Sequence, residues 1–347
     1  MGAAALFAAG APARAQQTLN LTAVDGYPPK SSWVRDFIHY FIPEVDKRLA
    51  QQGKYKIAWN QAWSGQITKV RYVLEGLQKG LGDIGIVTSV FHADKVPLQN
   101  ISYVVPFVSA DPRVMTRIMD DLAAKFPAFK DAWAPYNQVY LTNGCVLDSY
   151  QLFTKQPVKA LDDLRGMKIA GAGENLRYIH GLGAAGVSTS LVENYNKLQT
   201  GVVNGAMLWA ESVVQFKLVE VAPHMLQADI GAACSKTITM NADAWKKLPA
   251  EVRDVIAAVA IGYRDVMASN AVKEGQEALD DFRKAGGKIV ELPRAQREAW
   301  AKSMPNLAEE WVGRLEPKGI PARQILAAYM DAMRAANQPI VRHWDRE

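Results

Sequence analysis

Catalysis would need a nucleophile, a metal or a cofactor loop, and each can be sought by residue type and spacing. Cys145 is a nucleophile candidate if His92, His180 or His224 stands beside it. No local signature joins these residues, and the competing reading is a plain buried or disulfide-bonded cysteine. The five histidines form no HxH or HxxxH pair, and two cysteines cannot build a four-cysteine zinc site, so no metal is expected. Gly171-Ala172-Gly173 runs on into Glu174-Asn175-Leu176, without the third glycine of a dinucleotide-binding turn. A phosphate-binding GxxxxGKS/T loop, a GxSxG elbow and an HExxH motif are missing. No cofactor and no enzymatic activity are therefore expected. The net charge of +5 is small and scattered, which gives no reason to expect a nucleic-acid partner.

The framework around those residues is that of a folded chain. Its 347 residues are 49% hydrophobic and 22% charged, enough for two domains or one large one. Two cysteines exclude a disulfide-built scaffold, and no run of 18 apolar residues occurs. Residues 1–15, MGAAALFAAGAPARA, are apolar and end in the small-x-small triplet Ala13-Arg14-Ala15. That is a signal-peptidase pattern without its positive n-region. It reads as a signal-peptide remnant cleaved near Ala15, and implies an exported, periplasmic protein with no lipid-bearing cysteine.

Strand and helix patterns alternate from there. Thr18 to Val24 reads as a strand, Ser32 to Gln51 as an amphipathic helix, Lys56 to Trp59 as a strand, Lys69 to Lys79 as a helix and Ile84 to Val87 as a buried strand. Crossovers of that length imply a parallel sheet covered by helices. Val139 to Thr154 is strand-rich and opens a second unit. Short strands follow at Met167–Ala170, Val187–Ser188 and Gly205–Leu208, with helices at Asn175–Leu182 and Leu191–Thr200. GLQKGLGDIGIV and KLQTGVVNGAML echo one another, which suggests two similar lobes with a cleft at their strand ends. Pro249 to Ala285 forms one long apolar-striped helix, about 55 Å if straight, or kinked at Gly262 or Gly275. Gly287 to Leu292 is again a strand, and the remainder is mostly helical.

Several segments resemble one family. PVKALDDLRGMKI (157–169) is similar to the P-V-x-x-x-x-D-L-x-G-x-K-I segment of solute receptors of tripartite ATP-independent periplasmic (TRAP) transporters. ENYNKLQTGVVNG (193–205) resembles their E-V-Y-x-A-L-Q-T-G-V-V-D-G. Ser64-Gly65-Gln66 stands where the family has G-Q-L-G, Pro106-Phe107 matches its P-F, and Trp245 with Leu248-Pro249 matches its W-x-x-L-P. The matches run in order over most of residues 18–285. The resemblance implies an α/β, two-lobed periplasmic binding protein fold with a ligand cleft between the lobes and a long interlobe helix. It also implies a receptor that delivers a small solute to a TRAP-type membrane permease, without catalysis. On this reading lobe I is 18–142 plus about 236–265. Lobe II is 143–235 plus about 266–347, including the C-terminal helices, which could support a homodimer in place of a monomer.

One departure bears on the ligand. Family members carry an arginine after K-I that pairs with a ligand carboxylate, and here that position is Ala170. Arg177, seven residues on, is either a replacement or a solvated helix residue. Tyr27, Trp63, Gln66, Thr88, Phe107, Asp148, Tyr150, Glu193 and Trp209 are the candidate cleft residues. Several are aromatic and suit flat or hydrophobic solutes, while Asp148 and Glu193 could pair with an amine. A core role competes for Phe107 and Tyr150, and a capping role for Glu193. The expected ligand is an aromatic or hydrophobic monocarboxylate or a less acidic solute. The alternatives are a receptor still binding C4-dicarboxylates or 2-keto acids, or an ABC-importer binding protein, which the long helix and LQTGVVNG disfavour. Cys145 and Cys234 lie in the two stretches expected to cross between lobes, where a disulfide is one of two outcomes.

Overall fold

The computed structural model describes residues 16–347. The signal-peptide remnant proposed for residues 1–15 lies outside the described residues.

Strand β1 (Gln17–Val24) pairs in parallel with β2 (Tyr55–Ala62) along its length and with β3 (Ile84–Thr88) at its carboxyl end. β3 is buried at every position, which explains its unbroken apolar run. β4 (Gln138–Gly144), β5 (Gln151–Thr154), β6 (Lys168–Gly171), β7 (Ala185–Ser188), β8 (Gly205–Leu208), β9 (His224–Gln227), β10 (Lys236–Asn241) and β11 (Lys288–Glu291) follow. The described residues build two sheets, ordered β2-β1-β3-β10-β4 and β11-β9-β5-β8-β6-β7. The first three strands, and β6 with β7 and β8, are parallel as expected. β10 is antiparallel to β3 and β4, and β5 to β8 and β9, so both sheets are mixed. The reason is connectivity: β4 leads directly to β5, and β9 towards β10, so the chain changes sheet by extended segments that enter without a helical crossover.

Cys145 and Cys234 sit in those two crossing segments and are disulfide-bonded. Leu147 and Ala233 bridge beside them. A bonded Cys145 is no free nucleophile, which removes the cysteine–histidine pairing.

The helix expected from Ser32 runs as Ser32–Asp36, a π turn at Phe37–Phe41, and Ile42–Gln52. The wide turn falls just before Pro43, which has no N–H to give the preceding turn. Residues Asn175–Leu182, read as an α-helix, instead belong to a 3-10 turn spanning Gly173–Ile179. Between the sheets runs Ala250–Lys284, 35 residues and about 53 Å long. Its two halves meet different units: Tyr263 donates to the carbonyl of Trp33 in the helix after β1, whereas Phe282 meets the β5 residue Phe153 edge-on. It does not break at its glycines. A Cβ at Gly262 would lie 2.4 Å from the Tyr40 hydroxyl, and one at Gly275 2.3 Å from Asp148 Oδ2, so both permit close approach. Long and apolar enough to span a membrane by composition, this helix has its stripe from Val252 to Phe282 buried in the protein. Helices Ile101–Val104, Pro112–Lys125 and Ala210–Gln215 are additional to those read from the sequence, although Asp111 before Pro112 is a helix-start signal. The C-terminal helices touch both halves: Trp300 donates to the Tyr178 carbonyl beyond β6, and Trp311 to the Pro97 carbonyl beyond β3.

Candidate functional site

A small cavity of about 40 Å³ lies between the two sheets. Its wall is drawn from strand ends. The first sheet contributes Tyr27 after β1, Thr88 at the end of β3, and Ser235 and Lys236 at the start of β10. The second contributes Gly171 and Asn175 after β6, Thr189 and Ser190 after β7, Asn194 opening the next helix, and Met207, Leu208 and Trp209 at and after β8. Tyr150 precedes β5, and Tyr103 faces it with the two hydroxyls 3.1 Å apart. Glycine is needed at the rim: a Cβ at Gly171 would lie 2.5 Å from Asn175 Oδ1, the atom that accepts from the Ala172 N–H and holds the turn.

Four of the candidates read from the sequence meet here: Tyr27, Thr88, Tyr150 and Trp209. Trp209 directs its indole N–H to Glu211 at 2.8 Å and meets the Tyr150 ring edge-on at 6.2 Å. Burial pushes the Glu211 carboxyl up to about 7. The other candidates stand apart. Trp63 is buried against Phe37, with its N–H on Gln61. Gln66 is exposed. Phe107 is core, edge-on to Trp300 and bonded through its backbone to Ile230 and Val341. Asp148 lies against Gly275 of the long helix, where burial lifts its carboxyl to about 6. Glu193 caps its own turn through the Ser190 N–H and hydroxyl and pairs with Lys197. Arg177 turns outward to Glu310 and Glu174, so it does not stand in for the missing arginine. Ala170 is buried in β6 between Val187 and Ala206, one residue short of the cavity.

The most consequential residue, Lys236, escaped the sequence reading. It is 3% exposed at the start of β10. Its ammonium donates to Thr88 Oγ1 at 2.8 Å and lies 3.9 Å from the Trp33 ring centroid and 4.5 Å from that of Tyr27. Both rings are held by Asp25, which accepts from Trp33 Nε1 and the Tyr27 N–H. Burial pushes the Lys236 ammonium down to about 7, opposed by the Asp25 charge. Burial likewise lifts Asp25 to about 6, opposed by Lys236. Among the described residues no acid forms an ion pair with Lys236, although Asp25 feels its field. Asn194 is the second such group: it is 2% exposed and its Oδ1 has no donor. No cluster of histidine, cysteine and acids able to hold a metal occurs among the described residues.

The family model for bacterial extracellular solute-binding proteins, family 7, matches residues 27–315. A solute-binding protein of Albidiferax ferrireducens is 25% identical over 272 residues, 76% of each chain. Two solved TRAP solute-binding proteins share the fold at a TM-score of 0.79. That of Bordetella bronchiseptica, with bound (R)- and (S)-mandelate, is 22% identical over 92% of this chain and 99% of its own. That of Rhodoferax ferrireducens, with copurified benzoate, is 17% identical over 92% and 98%. The chain belongs to the bacterial extracellular solute-binding proteins of family 7.

Proposed function

We propose that this receptor captures a small solute with an aromatic or hydrophobic body and at most one carboxylate, and presents it to a TRAP-type permease. The observation that carries this reading is the composition of the cavity wall. Tyr27, Tyr150, Trp209, Leu208 and Met207 make most of it apolar, and the family arginine is replaced by the buried Ala170. A dicarboxylate placed there would leave one carboxylate desolvated without a cation, which costs far more than the apolar contacts return. The benzoate and mandelate bound by two proteins of the same fold fit this class. The cavity walls come from both sheets, which suits capture by closure of two lobes, 18–142 with 236–265 and 143–235 with 266–347. No step of this requires catalysis.

The test is a thermal-shift panel on protein unfolded and refolded to strip carried-over solute. It holds aromatic and branched monocarboxylates, C4-dicarboxylates, 2-keto acids, amines and neutral amides. A solute at 100 times its dissociation constant adds about 2.7 kcal/mol, or about 4 °C for a chain of this length. Shifts with monocarboxylates support the reading; a shift confined to dicarboxylates refutes it.

A further inference from the structure

Two buried polar groups line the cavity with hydrogen-bonding capacity to spare: the Lys236 ammonium on β10, and Asn194 Oδ1 on the helix after β7. Lys236 has three N–H donors. One is used by Thr88, and the rest of the ammonium lies over the Trp33 and Tyr27 rings. Aromatic faces stabilise a buried cation but supply no hydrogen-bond acceptor in line. Asn194 Oδ1, across the cavity, lacks the donor that a buried carbonyl oxygen requires. The remaining side-chain carbonyl nearby is already engaged: Asn175 Oδ1 accepts from Ala172.

We infer that Lys236 receives the carboxylate of the solute and Asn194 Oδ1 receives an O–H or N–H carried by the same molecule. The ligand is then a hydroxy- or amido-substituted monocarboxylate with an apolar body. This rests on the ligand class proposed above and narrows it. It also moves the carboxylate anchor from the second sheet, where Ala170 stands, to β10 of the first. The geometry explains why a lysine serves there. Its point charge donates to one carboxylate oxygen from a position set by Thr88 and the two rings, whereas a planar guanidinium would have to displace them. The polar edge of the second sheet contributes Asn194 only when both sheets wall one solute, so the donor on the ligand is read across the cleft.

The experiment is calorimetric titration of the refolded full chain with matched acids. One pair is mandelate and phenylacetate; the other is 2-hydroxy-4-methylpentanoate and 4-methylpentanoate. Methyl mandelate removes the charge from the ligand and leaves the protein intact. The hydroxylated member of at least one pair binds about tenfold or more tighter than its partner, because the buried Asn194 oxygen otherwise stays unpaired. The ester binds at least about 30-fold weaker than the acid. Asn194→Ala closes the gap within the pair while the acid-over-ester preference persists, a pattern that general damage to the fold does not produce. Equal affinity within both pairs overturns the Asn194 contact, and an ester binding as well as the acid overturns the Lys236 contact. If none of these acids binds while amines or dicarboxylates raise the melting temperature, the ligand class itself has failed and this inference falls with it.

Discussion

Replacing Asp25 by asparagine tests whether the cavity floor is electrostatically strained. Asp25 is fully buried and its carboxyl is raised by burial to about 6, against 3.8 when exposed. Between those values the folded state keeps a proton that the unfolded chain has lost. Stability therefore falls as pH rises through that window, and the loss is complete above about pH 6. The difference of about 2 units corresponds to about 3 kcal/mol at 1.36 kcal/mol per unit. At about 2.1 cal/mol/K per residue, that is a melting-temperature change of about 4 °C for 347 residues. Lys236 acts in the opposite window. Its ammonium is lowered by burial from 10.5 to about 7, so its cost is present below pH 7 and relieved as pH rises above it. Asp25→Asn loses the acceptor for Trp33 Nε1 at every pH. Only the pH-dependent part of the difference from wild type reports on the charge. The variant gains on wild type by about 2.6 °C between pH 4.5 and 7, the part of the window that lies above pH 4.5, and Lys236, deprived of its counter-charge, titrates lower and pushes the same way. Differential scanning fluorimetry of ligand-free protein across that range reads this directly. A difference that stays flat within about 1 °C refutes the account of Asp25 and Lys236 as a mutually compensating buried pair.

Three further outcomes follow from the same structure. Cys145→Ser with Cys234→Ser opens a link spanning 89 residues and lowers stability by about 4.6 kcal/mol on chain-entropy grounds, so an unchanged melting temperature in the double variant contradicts a stabilising link between the crossing segments. Gly275→Ala places a methyl 2.3 Å from Asp148 Oδ2 and destabilises by about 1–3 kcal/mol; a neutral effect in chemical denaturation shows that the long helix does not approach the crossing segment that closely. Arg177→Ala removes a partly exposed ion pair, changes stability by at most about 1 kcal/mol and leaves solute affinity within twofold; a large loss of affinity would return Arg177 to the site.

The parts legible in the sequence are those with a period. β1, β3 and β8 were placed within a residue or two because alternation or an unbroken apolar run defines them, and the long helix because its stripe continues from Val252 to Phe282. The 3-10 turn after β6 was mistaken for an α-helix, since Asn-Leu-Arg-Tyr-Ile has ordinary helical spacing. The geometry there is fixed from outside: a Cβ at Gly173 would lie 2.2 Å from the Val90 carbonyl. Within the site, the aromatic candidates at strand ends were found because their position and type agree. Tyr27, Thr88, Tyr150 and Trp209 line the cavity, whereas Trp63 and Phe107 have the same local signature and are core. What separates them is which sheet and helix arrive opposite, which local sequence does not encode.

Lys236 shows why a charged anchor can stay hidden. In sequence it is one lysine in Ser-Lys-Thr-Ile-Thr, indistinguishable from a solvated strand residue. Its significance arises only when β10 is inserted between β3 and β4, next to Thr88 and beneath Trp33 and Tyr27. The same insertion places it two residues from the disulfide that joins the crossing segments, which on the proposed two-lobe closure form the hinge. A carboxylate fixed there is held before closure, and the contacts from the second sheet, Asn194 and Trp209, are gained with it. Discrimination between acids then rests on what the far end of the solute offers to the closing sheet. That division of labour accounts for retaining two costly groups in one cavity: the cation provides attraction common to all acids, and the unpaired carbonyl oxygen penalises those that close without supplying a donor.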